Sequence, residues 1–212
     1  MRVLVACECS GVVRDAFAAL GHDAWSCDLK PSETRGQHIQ GDVRAALAQQ
    51  WDLVVAHPPC THLSVSGMHW NTRKDADGTA YTAKALARQA LTEEALAFAR
   101  LFFEYDACAR VAIENPVSIL STHFRKPDQI VQPYEYGHDA SKRTCLWLKG
   151  LPALVATGPH VEPRLVAGAK RWANQTDSGQ NRLGPSPERA ALRSKTYEGI
   201  ARAMAAQWGG AV

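Results

Sequence analysis

The chain has 212 residues, 46% of them hydrophobic and 21% charged, which suits one well-cored globular domain and not a disordered or fibrous protein. No segment approaches the roughly 20 apolar residues that cross a bilayer as a helix. A net charge of +3 permits contact with nucleic acid without requiring it.

In chain order, the first stretch, Met1-Arg2-Val3-Leu4-Val5, runs straight into polar residues. It reads as a strand over 2–7 and not as a signal peptide, so a cytoplasmic protein is expected. The six cysteines (7, 9, 27, 60, 108 and 145) are then expected as reduced thiols. A helix follows over 11–20, with Val12, Phe17 and Leu20 available for its buried face. Next come a second strand over 23–27, a short third over 37–42, a brief helix around 43–50 and a fourth strand over 51–56. A longer helix is expected over 81–104, where Leu91, Ala95, Phe98 and Phe102 recur at helical spacing.

Residues 110–114 read as a fifth strand, and 130–136 with 143–148 as two more, forming a β-hairpin. The segment 150–187 is rich in Gly and Pro without a clear period, so it reads as loop. A helix over 188–208 closes the chain, burying Leu192, Ile200 and Met204. Strands alternating with helices predict an α/β, doubly wound, Rossmann-like sheet, made mixed by the C-terminal hairpin.

Cys60 is the most informative residue. The apolar run 51–56 ends in His57-Pro58-Pro59-Cys60, and the prolines force the chain out of the ladder. The thiol therefore sits on a stiff loop at the carboxyl end of a strand, where open α/β sheets bind ligands. Ile113-Glu114-Asn115-Pro116 repeats the arrangement with a carboxylate, and if the two strands are neighbours both groups open into one crevice. Desolvation there raises a carboxyl pKa, so Glu114 is expected to donate a proton near neutral pH. A thiol facing a proton donor is a covalent-catalysis pair.

The exit of the first strand, Cys7-Glu8-Cys9-Ser10-Gly11, is a small-residue turn where such folds admit a nucleoside. Glu8 would repel a pyrophosphate, so a cationic cofactor without phosphate fits better. Asp28, ending strand two, is placed for ribose hydroxyls, and Asp42, ending strand three, for an adenine amino group. Lys142-Arg143 forms a basic doublet at the mouth of an apolar strand, where the Arg143 fork can hold a carboxylate, a phosphate or a base carbonyl. Trp70 either stacks on a base or packs against the sheet. Lys and Arg outnumber Asp and Glu between residues 142 and 202, which suits a phosphate backbone or a solvated surface equally.

These residues resemble those of a minimal DNA (cytosine-5) methyltransferase of the kind phages encode. Pro58-Pro59-Cys60 with Ser64, Ser66 and Gly67 resembles that family's nucleophile motif. Glu114-Asn115 resembles its Glu-Asn-Val motif, with Pro116 replacing valine, and Lys142-Arg143 its Gln-x-Arg motif. Residues 193–199, containing Thr196 and Tyr197, resemble the closing motif that lies beside the first loop. Two departures stand out: the first turn lacks the family's Phe-x-Gly-x-Gly, and the interval 150–187 is short for a target-recognition domain.

The resemblance implies an S-adenosyl-L-methionine pocket formed by Cys7, Glu8, Ser10, Gly11, Asp28, Asp42, Val43, Pro58, Thr196 and Tyr197. It implies DNA as partner, Cys60, Glu114 and Arg143 as catalytic residues, and a flipped cytosine as the reacting base. Domain organisation would be a core over 1–149, a vestigial recognition segment over 150–187 and a returning helix over 188–212. So small a recognition segment predicts low or very short sequence specificity, and neither a membrane nor an obligate protein partner is indicated. Three alternatives stand beside this reading. One is cytosine modification on single-stranded DNA or a free nucleotide, or with a modified donor. Another is a catalytically silent DNA-binding protein. The last is a zinc site drawn from His57, Cys60, His62 and His69.

Overall fold

The computed structural model describes residues 1–210. Five strands run parallel at first: β1 (Arg2–Ala6), β2 (Asp23–Asp28), β3 (Gln37–Gln40), β4 (Leu53–Ala56) and β5 (Val111–Pro116). The antiparallel strands β6 (Gln129–Val131) and β7 (Thr144–Lys149) complete a seven-stranded mixed sheet of order β3-β2-β1-β4-β5-β7-β6. The order reverses between β1 and β4, which makes the sheet doubly wound and Rossmann-like, with its ligand crevice expected at the carboxyl ends flanking that point.

The central strands are apolar along their whole length because both faces are covered. Val3 and Val5 of β1, with Leu53 and Val55 of β4, face a core with Phe17, Met204 and Trp208. Leu4, Ala6, Val54 and Ala56 face the opposite core with Leu96, Phe102 and Trp147. The first layer carries α1 (Val12–Ala18) and α6 (Glu198–Trp208), and the second carries α2 (Val43–Leu47) and α3 (Ala83–Phe103). The short helices α4 (Leu120–His123) and α5 (Arg189–Ser194) connect other elements. Among the described residues no helix is long and apolar enough to cross a membrane, and all six cysteines are free thiols.

Several boundaries differ from the sequence reading. The expected strand 130–136 stops at Val131, because Pro133 opens a 3₁₀ turn over Pro133–Tyr136. The expected closing helix is two, broken at Lys195-Thr196-Tyr197, and Leu192 on the first piece is exposed. Leu91 and Leu20 are exposed as well. On α3 the buried line runs through Ala85, Thr92, Leu96, Ala99 and Phe102, so small and polar residues lie inward where the sequence pointed to leucine.

The loop-like stretch 150–187 contains a hairpin of β8 (Arg164–Val166) and β9 (Ala169–Arg171). Its two-residue turn holds Ala167 and Gly168 at φ 48° and 79°, the primed geometry that suits strand twist. Trp172 stacks on Tyr134 at 4.3 Å, and Asn174 exchanges hydrogen bonds with the Ser141 backbone, docking this segment on the approach to β7.

Candidate active site

The pairing of β4 with β5 brings the two chemical motifs together. Ala56 lies opposite Ile113, so the next residues along each strand, His57 and Glu114, become neighbours. His57 Nδ1 donates to Glu114 Oε2 at 2.9 Å, and their side chains are only 12% and 7% exposed. Burial alone would push the Glu114 carboxyl up, but the His57 bond and the Lys142 charge hold it below its ordinary range. The expected raised pKa is therefore corrected: the missing partner was His57. Burial opposes the imidazolium, yet Glu114, with help from Glu8, raises His57 above its ordinary value.

Cys60 is half-buried on the loop leaving β4, and its carbonyl accepts from Leu63 and Ser64 N–H groups in a tight turn. Beyond the turn, Val65 and Ile119 backbone bonds tie this loop to the one leaving β5. Arg88 of α3 reaches across to the Thr61 carbonyl at 3.0 Å, and Asn115 Nδ2 donates to the Pro58 carbonyl at 2.7 Å. Burial, then the Glu114 charge, push the Cys60 thiol up, while Lys142 and Arg193 pull it down. The net shift is upward, so the thiol waits protonated.

Because β7 runs antiparallel to β5, it is the entry of β7 that lies at this edge of the sheet, with Thr144 opposite Pro116. That places Lys142 where its charge is felt by Cys60, His57 and Glu114. Arg143, the residue expected to act, is exposed, and its charge is felt instead at Tyr134 and Cys145. Trp70 lies in the 3₁₀ turn Val65–Thr72, 48% exposed beneath the Arg73 guanidinium, and not packed on the sheet.

The expected cofactor residues gather at the neighbouring strand ends. Glu8 is buried, with its carboxylate turned onto the start of α1, where it accepts from Val13 and Arg14 N–H groups and from Ser10 Oγ. The N-terminus of α1 is thus closed to a phosphate by an internal carboxylate. Cys7 and Gly11 take left-handed conformations, φ 61° and 76°, that shape the turn. The charges of Asp28 and Asp42 are both felt at Cys7. Asp28 receives the Lys30 N–H, while Asp42 is exposed and caps α2, with both oxygens engaged by Arg44. Val43 behind it is buried.

Thr196 and Tyr197 follow Lys195, which ties this stretch to the turn, and the Tyr197 ring packs edge-on against His138. Lys195 pairs with Glu33 at 2.5 Å, and the Glu33 N–H bonds to the Cys9 carbonyl. Sequence reasoning missed Arg14. Its guanidinium, 1% exposed, bonds Ser26, Ser32, Thr34 and the Arg35 carbonyl, and so pins the loop after β2 against α1. An arginine on an otherwise apolar helix face was the available signal.

The zinc candidates do not converge: among the described residues no three His, Cys, Asp or Glu side chains gather as a metal site. His57 is held by Glu114, His62 Nδ1 lies beside Arg88, and His69 Nδ1 lies beside the Ser66 carbonyl.

No family model matches this sequence, and no curated protein matches it. Among solved structures, a putative DNA modification methyltransferase encoded within an E. coli prophage is similar to it at 16% identity and a TM-score of 0.43. The match covers 71% of this chain and 48% of that one, so the chain spans about half the length of that structure.

Proposed function

We propose that the protein transfers a methyl group from S-adenosylmethionine to C5 of cytosine in DNA through a covalent adduct on Cys60. The observation that supports this reading is the register of β4 against β5: it sets a buried carboxylate beside the start of the thiol loop, where its charge is felt at Cys60, next to the switch point of the sheet. S-adenosylmethionine fits the adjoining turn. Glu8 excludes phosphate, and the Asp28 and Asp42 charges at the strand ends favour a cation. Cys7, Ser10, Gly11, Pro58, Thr196 and Tyr197 would complete its surroundings. When bound, it supplies an electrophilic methyl group.

The chain's own residues account for the rest of the chemistry. Cytosine C6 is a poor electrophile until N3 is protonated or hydrogen-bonded, and in this reading Glu114 makes that contact. Cys60 gives its proton to solvent as its sulfur bonds to C6, which makes C5 nucleophilic toward the methyl group; loss of the C5 proton to solvent then breaks the C6–S bond and frees the thiolate. The base must first leave the duplex stack, costing a few kcal/mol. Exposed Trp70, close after the thiol loop, offers a stacking face for it. Lys142 lowers the thiol toward its reactive form. The short hairpin β8–β9 is the part of 150–187 available to meet DNA, which fits a short or lax target.

The test is expression in a host without cytosine methylation, digestion of its DNA to nucleosides and mass spectrometry, beside a Cys60→Ser control. New 5-methylcytosine that vanishes in the control supports the reading. A heavier cytosine adduct would keep the site and change the donor, and no modified base would overturn the reading for DNA.

A further inference from the structure

We propose that His57 is the positioning residue of Glu114: it holds one carboxylate oxygen, leaves the other for the substrate base, and stores the proton the base takes up. This rests on the cytosine reading above and adds a residue to it.

The geometry is fixed from both sides. The His57 N–H extends the ladder to the Ala6 carbonyl at 2.9 Å, and Glu114 lies opposite Leu146 within the β5–β7 pairing. Neither backbone is free to move away, so the two side chains meet by construction. An ionised carboxylate only accepts, so the hydrogen between them is on His57 Nδ1. Glu114 Oε2 is thereby occupied, and Oε1 remains for a ligand. The second ring nitrogen, Nε2, is buried without a hydrogen-bond partner. A buried ring nitrogen left unpaired is costly, and a merely structural histidine would be expected to satisfy both.

The surroundings favour a charged ring. Glu8 faces the pair from the β1–α1 turn, Lys142 from the entry of β7, Cys60 from the loop after β4, and Cys145 from β7 itself. Glu8 adds a second negative charge toward His57, and Lys142 opposes it.

A bare Glu114 carboxylate can accept a bond from the cytosine amino group but has no proton to offer N3. The pair does. Before binding, Glu114 is matched by the imidazolium. When the base arrives, the His57 Nδ1–H bond breaks as an O–H bond forms on Glu114 Oε2, the carboxyl turns this O–H toward the base, and that bond breaks as the N3–H bond forms. His57 is left neutral, and Glu114 is matched by the protonated base instead. One proton moves and the charge of the site is unchanged. When the thiol is released from the product, N3 returns that proton to the pair.

Two measurements test this. Imidazole NMR titration of the full chain is expected to show His57 protonated to above 6.5, and to fall when Glu114→Gln removes the carboxylate. His57→Asn keeps a donor for Oε2 but cannot carry the proton. It is expected to lose about ten- to a hundredfold in kcat at neutral pH, with KM for DNA changed less than about threefold. Its basic pH limb should move to lower pH. A His57 titrating at or below 6.5 overturns the assignment. So does a His57→Asn variant with the wild-type limb. In those cases an active wild type leaves the cytosine reading standing, whereas a wild type that methylates no cytosine overturns both.

Discussion

Asn115 Nδ2 donates to the carbonyl of Pro58 at 2.7 Å, tying the strand that carries Glu114 to the loop that carries Cys60. Asn115 is 1% exposed, so neither group has water as a substitute. Two motifs far apart in sequence thus share one clamp. Asn115→Ala is expected to leave the Pro58 carbonyl unpaired, costing about 1–3 kcal/mol of stability. The free thiol loop should also react faster with bulky maleimides. Urea unfolding and timed labelling check the two effects.

Lys142→Met removes a cation whose charge lowers the Cys60 thiol and so pushes that thiol further up. Alkylation of Cys60 by iodoacetamide, followed by peptide mass spectrometry, should slow severalfold at pH 8 and recover as pH rises. Arg143→Met should leave the rate at Cys60 near wild type, since that side chain is exposed and directed elsewhere.

The His57–Glu114 pair gives stability a defined pH window. The depressed Glu114 contributes above the ordinary carboxylate value of 4.5, and that contribution is lost as pH falls through its lowered folded value. The raised His57 contributes below the ordinary imidazole value of 6.5, and is lost as pH rises through its higher folded value. The pair's contribution is therefore fullest between 4.5 and 6.5. Thermal melts of wild type against a His57→Leu/Glu114→Leu double variant should diverge most in that interval and converge on either side.

Arg14 is a buried charge whose donors are met by Ser26, Ser32, Thr34 and Asp15. Arg14→Met leaves those acceptors unmatched and is expected to cost about 3–5 kcal/mol. Hydrogen exchange should quicken in residues 29–36, the loop it pins, before it does in the central strands.

Ala167 carries a side chain at φ 48°, where L residues are disfavoured by about 1–2 kcal/mol. Ala167→Gly should relieve that strain and slow amide exchange across Arg164–Arg171.

Much of this molecule was legible before folding. The apolar runs at Val3-Leu4-Val5, Leu53-Val54-Val55 and Val111-Ala112-Ile113 announce strands buried on both faces, because only such strands need no polar side. Pro58 and Pro59 mark where β4 gives way to the thiol loop, whereas Pro116 still pairs with Thr144 as the last residue of β5. Cys60 stood out beyond the end of its strand, and Glu114 as a carboxylate in the last half of its own. What remained hidden depends on neighbours distant in the chain. The sequence does not show that β4 and β5 pair with Ala56 opposite Ile113, and that register alone makes His57 the partner of Glu114 and turns an expected raised carboxyl into a lowered one. Nor does it show which residue of the Lys142-Arg143 doublet bears on the thiol: the pairing of β7 with β5 sets Lys142 where Cys60 feels its charge. Local propensity and periodicity act over a turn or a strand. The protonation of the site is decided by electrostatic contacts between residues that only the sheet makes adjacent.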